Sequence, residues 1–227
     1  MQFSNFMEAL MTAKEILSHV DHTLLAPTAT WTQIQTLCKE GLRYGTASVC
    51  IPPSFVKQAA EACADKLPIC TVIGFPLGYN TTAAKLAETK EALANGAVEV
   101  DMVVNPGWVK EGNFSAVTRE IAALKEAAGT RVLKVIVETC YLANEEKTAL
   151  CTCVTEAGAD YIKTSTGFGT AGAQLADIRL FKQHIGPAVK IKASGGMRTR
   201  EDFEAFLSAG SDRLGTSAAV KLLGEEL

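Results

Sequence analysis

The amino-acid sequence predicts a single (β/α)8 barrel (TIM barrel) of the α/β class, with an additional N-terminal helix. Short β-branched runs alternate with amphipathic segments eight times within 227 residues. Glycine follows many of the amphipathic segments, as it does at helix C-termini. The sequence disfavours the alternative, a doubly wound open sheet, because no Gly-x-Gly-x-x-Gly motif follows an early strand.

The predicted strands are short runs rich in β-branched residues, bounded by turn-forming residues. They span residues 19–24, 46–51, 69–74, 98–105, 132–138, 161–164, 189–193 and 213–215. An amphipathic helix is expected after each strand. These helices span residues 31–42, 54–65, 82–94, 115–127, 145–157, 172–184, 200–208 and 217–223. A further helix at about residues 5–17 precedes the first strand, so that residues 1–18 should form a helical cap over the bottom of the barrel.

Composition and charge narrow the class of protein. With 48% hydrophobic and 21% charged residues, no linker and no break in composition, residues 1–227 are expected to form one domain. The net charge of −3 and the lack of lysine or arginine runs disfavour a nucleic acid or a membrane surface as partner. The sequence shows neither a signal peptide nor a membrane-spanning run, and its seven scattered cysteines are typical of reduced thiols. We therefore expect a cytoplasmic enzyme.

Strand alternation places charged side chains inside the predicted barrel. Glu99 and Asp101 share the face opposite to the apolar Val98, Val100 and Met102, so they point inward. The same argument turns five more charged residues inward, namely Lys134, Glu138, Lys163, Lys190 and Lys192. A barrel interior is normally filled by branched apolar side chains. The charged set therefore indicates either structural ion pairs or a reactive centre.

Position along the strands separates these two interpretations. Glu99 and Lys190 lie one layer deeper than their neighbours, and we expect them to form structural ion pairs. Asp101, Lys163 and Lys192 lie near the C-terminal ends of their strands, where the catalytic groups of such barrels gather. We therefore expect these three residues to act in catalysis.

Lys163 and Lys192 suggest amine chemistry, because each ends an apolar run and precedes a turn of small residues. Attack on a carbonyl requires a neutral amine, and an ordinary lysine is neutral in only about one molecule in 2,500 at pH 7. Burial and a nearby ammonium both lower the pKa of an amine. One lysine is thus expected to be the nucleophile and the other the perturbing charge, but the residues alone do not say which. Asp101 is placed to move protons through water.

Three glycine-containing turns predict a phosphate site at the same end of the barrel. They follow strands six, seven and eight and comprise Thr164 to Gly167, Ser194 to Arg198 with Gly195 and Gly196, and Gly215 to Ser217. Ordinary strand-to-helix turns are the alternative. Arg198 is either a phosphate clamp or a surface residue of the first helical turn.

Three further residues are candidates for the pocket. Cys50 ends the second strand and either lines the pocket or fills the core. Asp21 and Thr23 share a face of the first strand, and either bind a sugar hydroxyl or hold the turn before Pro27. A metal site is not expected, because the three histidines form no His-Glu-x-x-His motif and paired Cys-x-x-Cys motifs are absent from the sequence.

The sequence resembles the deoxyribose-phosphate aldolases, a family of class I aldolases on the (β/α)8 barrel, over essentially its whole length. The segments that carry the resemblance are DHTL (21–24), ASVCI (47–51), LAETK (86–90), EVDMV (99–103), LKVIVET (133–139), YIKTSTG (161–167) and KASGGMRT (192–199). The resemblance implies reversible cleavage of 2-deoxy-D-ribose 5-phosphate to D-glyceraldehyde 3-phosphate and acetaldehyde. It also implies that no metal or organic cofactor takes part.

The resemblance further assigns roles to individual residues. It makes Lys163 the Schiff-base lysine, Lys192 the lysine whose charge perturbs it, and Asp101 the proton relay, with Lys134 in support. Its pocket positions fall on Asp21, Thr23 and Cys50, and its phosphate positions on Gly167, Gly195, Gly196 and Ser217. Small-molecule substrates are the expected partners, together with further copies of the chain in a dimer or a tetramer.

The sequence departs from the family pattern at two positions, and two other functions are alternatives to an aldolase. Phe168 stands where some family members carry a lysine, and Ala218 where some carry a second serine, so phosphate binding could be weaker and unphosphorylated aldehydes better tolerated. A phosphosugar isomerase or synthase without an imine, and a non-catalytic sugar-phosphate binder, are the alternatives. The inward lysines argue against both, since neither function requires a neutral lysine.

Overall fold

The computed structural model describes residues 11–227, and this part of the chain forms a closed barrel of parallel strands. The strands are β1 (Val20–Thr23), β2 (Ser48–Ile51), β3 (Ile69–Ile73), β4 (Glu99–Val103), β5 (Val132–Ile136), β6 (Tyr161–Lys163), β7 (Lys190–Ser194) and β8 (Arg213–Thr216). Each strand pairs with its neighbour in sequence, and β8 closes the barrel against β1. The predicted (β/α)8 fold is confirmed.

Helices surround the barrel and cover its outward-facing side chains. They are α1 (Ala13–Ser18), α2 (Trp31–Tyr44), α3 (Val56–Cys63), α4 (Thr82–Ala94), α5 (Pro106–Lys110), α6 (Phe114–Ala128), α7 (Asn144–Glu156), α8 (Leu175–His184), α9 (Arg200–Ala209) and α10 (Ala219–Leu223). Short 3-10 turns occupy Pro53–Phe55, Thr139–Tyr141 and Gly224–Glu226. From residue 11 onward, no helix combines the length and the apolar character that a membrane crossing demands.

Two helices differ from the expectation for local reasons. The sequence analysis did not predict α5, which begins at Pro106 under an Asn105 side chain that accepts hydrogen bonds from Gly107 N and Trp108 N. Helix α8 begins three residues later than expected. Residues 172–174 instead run beside the turn after β7, and Ala173 N donates to the carbonyls of Ser194 and Gly195. A side chain at Gly172 would collide with the Gly195 backbone at 2.5 Å.

The described part of the N-terminal segment forms a short helix, as the sequence analysis expected. Helix α1 begins after a capping box formed by Thr12 and Glu15 and packs against α10. Arg200, in the first turn of α9, donates a hydrogen bond to the Met11 carbonyl. The additional N-terminal helix is thus present beside α10, and its role as a cap over the bottom of the barrel stays a prediction. Residues 5–10 of the expected helix lie outside the described residues.

Burial confirms the strand alternation that the sequence predicted. The outward residues Val100 and Met102 of β4 are fully buried between the barrel and the helices, in the main hydrophobic core. Inside the barrel, apolar packing includes a small cluster of Cys50, Cys70 and Val72. Much of the interior is therefore left to charged side chains.

A buried ion pair connects two outer helices. Lys85 on α4 is fully buried, and its Nζ lies 2.8 Å from Glu120 Oε2 on α6 and 2.8 Å from the Val103 carbonyl at the end of β4. The second oxygen of Glu120 accepts a hydrogen bond from Thr82 at 2.9 Å. The pair thus fixes α4 and α6 to the strand that carries Asp101.

We expect removal of one member of this pair to destabilise the fold strongly. Glu120→Leu leaves the Lys85 ammonium buried without its partner, at a cost of about 3–5 kcal/mol in the free energy of unfolding. The double variant Lys85→Met/Glu120→Leu should recover most of this loss, because both charges are then gone. Urea unfolding monitored by circular dichroism measures the effect.

The control is Lys110→Met, which removes a half-exposed lysine paired with Glu146. Its expected cost is below about 1 kcal/mol. Equal losses in the Glu120→Leu and Lys110→Met variants would contradict the importance assigned to the buried pair.

Candidate active site

The carboxylate of Asp101 brings three lysines together at the centre of the barrel. Its Oδ2 atom lies 2.7 Å from Lys163 Nζ and 2.7 Å from Lys192 Nζ. Its Oδ1 atom lies 2.8 Å from Lys134 Nζ. All four side chains are buried, and that of Lys163 is 3% exposed. The structure therefore assembles on one carboxylate the four residues that the sequence analysis named as catalytic.

Asp21 forms a second layer of this network rather than part of the pocket surface. Its Oδ2 atom lies 2.5 Å from Lys192 Nζ and 3.7 Å from Lys134 Nζ. Its Oδ1 atom accepts hydrogen bonds from Ser48 Oγ at 2.7 Å and from the Arg213 guanidinium. Asp21 is fully buried, so its contacts in this structure are with the network.

Arg213 is a functional candidate that the sequence analysis missed. Besides contacting Asp21, its Nη2 atom lies 3.3 Å from Glu99 Oε1. Glu99 in turn contacts Lys134 Nζ at 2.6 Å. A signal was present in the sequence, because Arg213 precedes Gly215 by two residues and so shares its inward face.

Of the two residues that were expected to form structural ion pairs, Glu99 does so and Lys190 does not. Glu99 forms ion pairs with Lys134 and Arg213, whereas Lys190 is exposed and stacks over the Tyr161 ring at 5.8 Å. Among the ion pairs of the described residues, none involves Lys190. The expectation for Lys190 is wrong because its side chain, at the N-terminal end of β7, lies exposed to solvent and is not held inside by a carboxylate as Arg213 is. There water solvates the ammonium more cheaply than burial would.

Charge around the network fixes several protonation states. Burial disfavours the charged forms, but the lysines Lys134, Lys163 and Lys192 outweigh it and hold the pKa of Asp101 well below its usual range. Lysine and arginine neighbours lower the pKa of Asp21 in the same way. Burial also opposes the ammonium of Lys192, yet Asp101 and Asp21 raise its pKa above the ordinary lysine value. The pKa of Lys134 is raised by the same balance of burial and nearby carboxylates.

A pocket of about 540 Å³ opens at the C-terminal ends of the strands. It is formed by the turns that follow β6, β7 and β8 and by the end of β1. Seven of the predicted substrate-binding residues line it, namely Thr23, Gly167, Gly195, Gly196, Arg198, Gly215 and Ser217. The pocket thus lies where the sequence analysis placed the phosphate.

Two further predicted pocket residues, Thr164 and Cys50, lie behind the residues that line the pocket. Thr164 is fully buried, and its Oγ1 accepts a hydrogen bond from Ser194 N at 3.1 Å, which fixes β6 to β7. Cys50 is also fully buried and lies in the cluster beneath Leu25. Thr164 and Cys50 are therefore near the pocket but not among the residues that line it.

The turn after β6 is held by a buried carboxylate. Glu138, which the sequence analysis turned inward, accepts hydrogen bonds from Thr166 N at 3.3 Å and from Thr166 Oγ1. Thr166 Oγ1 in turn accepts from Phe168 N at 3.0 Å. Gly167 between them has a φ of 88°, which side-chain-bearing residues rarely adopt. Polar contacts therefore fix the backbone of this turn.

Two groups of side chains among the described residues have the spacing of metal ligands. In one of them, Asp21, Cys70 and Glu99, the carboxylates already contact lysine or arginine side chains. The other contains Asp101. The donor atoms of Cys50, Cys70 and Asp101 lie within 4.8 Å of one another. The oxygens of Asp101 already contact the Nζ atoms of three lysines, and burial raises the pKa of the Cys70 thiol well above its ordinary value. Thiol and carboxylate oxygen are therefore not free to bind a cation, and the group fits a metal poorly.

Comparison with known proteins decides the family. Residues 15–219 match the family model described as DeoC/LacD family aldolase. The chain belongs to this aldolase family. The aldolase is 61% identical to deoxyribose-phosphate aldolase of Clostridium botulinum (strain Alaska E43 / Type E3) over 95% of its own length and 98% of the relative's. It is 54% identical to deoxyribose-phosphate aldolase of Clostridioides difficile (strain 630), over 94% of this chain and 97% of that protein.

The fold of the aldolase also matches a solved structure of the same kind. Deoxyribose phosphate aldolase from Aeropyrum pernix, whose tetrameric structure is described as unique, superposes with a TM-score of 0.87 at 32% identity. The match covers 95% of this chain and 92% of that one. The family resemblance stated from the sequence is therefore confirmed.

We expect the network to make the aldolase sensitive to acid. In the folded state the pKa values of Asp21 and Asp101 lie below the ordinary value of about 3.9, so the unfolded chain binds more protons as the pH falls. The stabilisation is thus complete above about pH 4 and is lost as the pH drops below it. Asp21→Asn should lower the free energy of unfolding at neutral pH and flatten its decline below about pH 4.

Urea unfolding at a series of pH values measures this dependence. The control is Asp65→Asn, which changes an exposed carboxylate. If the Asp21→Asn and unsubstituted proteins lose stability in parallel below about pH 4, the contribution assigned to Asp21 is wrong.

Proposed function

We propose that this aldolase reversibly cleaves 2-deoxy-D-ribose 5-phosphate to D-glyceraldehyde 3-phosphate and acetaldehyde through a Schiff base on Lys163. The observation that carries the proposal is the contact of Asp101 with both Lys163 and Lys192 beside a pocket lined by three glycine-containing turns. The names of the clostridial relatives support the substrate. The glycine turns suit its phosphate.

The contacts of the three lysines support Lys163 as the nucleophile. Among the ion pairs of the described residues, Lys163 contacts one carboxylate, whereas Lys192 contacts two and Lys134 three. The raised pKa values of Lys192 and Lys134 keep both as cations at neutral pH. Lys163 is thus the lysine with the least carboxylate support for an ammonium.

The total charge of the network favours the same assignment. Three carboxylates, Asp21, Glu99 and Asp101, face the basic groups of Lys134, Lys192 and Arg213, and Lys163 adds a fourth basic group. Buried charges are least costly when they are paired. The interior is balanced when Lys163 is a neutral amine, which is the form that attacks a carbonyl.

The proposed reaction begins when Lys163 attacks the C1 aldehyde of the open-chain sugar phosphate. A C–N bond forms, Asp101 and water move protons, and water leaves to give a protonated imine. The C3 hydroxyl then loses its proton and the C2–C3 bond breaks, with its electron pair drawn into the imine to form an enamine. Protonation of the enamine at C2 and hydrolysis release acetaldehyde and regenerate Lys163. The ammonium of Lys192 favours the neutral amine at the start of each cycle.

The oligomeric state and cellular location also belong to the proposal. We expect a homo-oligomer, either a dimer or a tetramer, in the cytoplasm. The tetrameric relative from Aeropyrum pernix supports an assembly of this kind.

Trapping the imine tests the proposed nucleophile. Borohydride in the presence of acetaldehyde should leave an ethyl group on Lys163, because reduction makes the C–N bond permanent. Peptide mapping by mass spectrometry locates the group. Lys163→Met should abolish both labelling and cleavage, whereas Lys190→Met, which removes an exposed lysine at the opposite end of the barrel, should leave both unchanged.

An ethyl group on a different lysine would contradict the assignment of Lys163. The absence of labelling in an active protein would instead favour an isomerase or synthase that uses no imine. Binding of the sugar phosphate without turnover would favour the non-catalytic binder.

A glycine substitution tests the phosphate site. Gly196 has a φ of 83°, so Gly196→Ala strains the turn by about 1–2 kcal/mol and displaces the backbone that faces the phosphate. We expect kcat/KM for 2-deoxyribose 5-phosphate to fall about tenfold, and that for unphosphorylated 2-deoxyribose to change much less. Steady-state kinetics with both sugars measures the ratio.

Gly158→Ala is the matched control, because Gly158 also has a positive φ, of 70°, but lies outside the pocket lining. It should affect stability without changing the ratio between the two substrates. An equal loss for both sugars in Gly196→Ala would contradict a phosphate contact at this turn.

A further inference from the structure

Arg213 and Glu99 form a layer of the network that the proposed reaction does not use. The two side chains contact each other at 3.3 Å and are largely buried, with 13% and 7% exposed. Neither belongs to the residues that line the pocket. Burying such a pair costs desolvation free energy, which its mutual attraction and its further contacts with Lys134 and Asp21 must offset.

Strand register connects Arg213 with the two lysines of the reactive centre. Lys163 is the register partner of Lys192, and Lys192 is the register partner of Arg213. Neighbouring strands are about 4.8 Å apart, so the Cα atoms of Arg213 and Lys163 are separated by about 10 Å. At this distance inside a protein the charge of Arg213 still acts on Lys163.

Glu99 is connected to Lys163 through two intervening side chains. It contacts Lys134 at 2.6 Å, and Lys134 contacts Asp101, which contacts Lys163. Every strand around Lys163 thus contributes a charged or titratable group that faces the interior. These groups are Asp21 on β1, Cys50 on β2, Cys70 on β3, Glu99 and Asp101 on β4, Lys134 on β5, Lys192 on β7 and Arg213 on β8.

We propose that Arg213 and Glu99 are positioning residues that set the pH range of the aldolase by fixing the net charge around Lys163. This inference rests on the proposed Schiff-base function. Arg213 adds a cation that disfavours a fourth ammonium in the interior, and Glu99 adds an anion that favours one. The two residues therefore act on the same amine in opposite directions without touching the substrate.

The proposal makes a prediction of opposite sign for the two residues. Arg213→Met removes a cation, so the acid limb of the kcat/KM profile should move to higher pH. Glu99→Gln removes a carboxylate, so the limb should move to lower pH. A unit charge at about 10 Å, with an effective dielectric constant near 20, corresponds to a shift of about one pH unit.

The experiment measures kcat/KM against pH, and in parallel the yield of the borohydride-trapped ethyl group on Lys163 against pH, for four variants. The double variant Arg213→Met/Glu99→Gln should return the midpoint close to that of the unsubstituted aldolase, because one charge of each sign is gone. Arg213→Lys keeps the charge but loses the guanidinium group that contacts both Asp21 and Glu99. It should lower stability and leave the midpoint in place.

The outcomes separate this inference from the proposed function. Trapping on Lys163 with midpoints that stay fixed, or that move in the same direction in both single variants, would overturn the role of Arg213 and Glu99. A lack of trapping on Lys163 in the unsubstituted aldolase would instead overturn the Schiff base. If Arg213→Met does not fold, Glu99→Gln and Arg213→Lys still decide the question, because the first must shift the midpoint downward and the second must not shift it.

Discussion

The arrangement of this aldolase depends on one buried carboxylate that contacts three lysine side chains. Asp101 is fully buried, and without its two oxygens the side chains of Lys134, Lys163 and Lys192 would bring three basic groups together in the barrel interior without the carboxylate that they share. Such a cluster is tolerable only when anions are fixed among the cations. The second layer of Asp21, Glu99 and Arg213 extends the same alternation of charge toward the start of the strands. The active centre is therefore a packed ionic core.

The helices and turns around the barrel stabilise the structure through other contacts. Around the barrel the side chains are apolar, and the buried pair of Lys85 and Glu120 ties two helices to the end of β4. At the mouth, Glu138 and Thr166 hold the turn after β6, and Gly172 packs against the turn after β7. The turns that face the substrate are thus fixed by polar contacts behind them. Rigid turns lose less conformational entropy when a ligand is bound.

The sequence predicted most of the fold and the reactive centre because both depend on period-two alternation. That alternation placed Asp101, Lys134, Lys163 and Lys192 on the inner face, and the structure brings them into contact. It could not show how far along the barrel axis a side chain lies. Lys190 and Arg213 both begin strands, yet Lys190 is exposed whereas Arg213 is held inside by two carboxylates. Such differences depend on partners that are distant in the chain, which single-strand patterns do not contain.

The contact between Asp21 and Arg213 has a consequence for how the chain folds. These residues are separated by 192 positions and belong to the first and the last strand, which meet only when the barrel closes. Until then, each end of the sheet presents charges that lack their partners, and a half-formed barrel cannot bury them cheaply. Partly closed forms are therefore disfavoured relative to both the open chain and the complete ring. The same ion pairs that surround Lys163 thus make closure of the barrel cooperative, and a folding intermediate without β8 would lack part of this charged network.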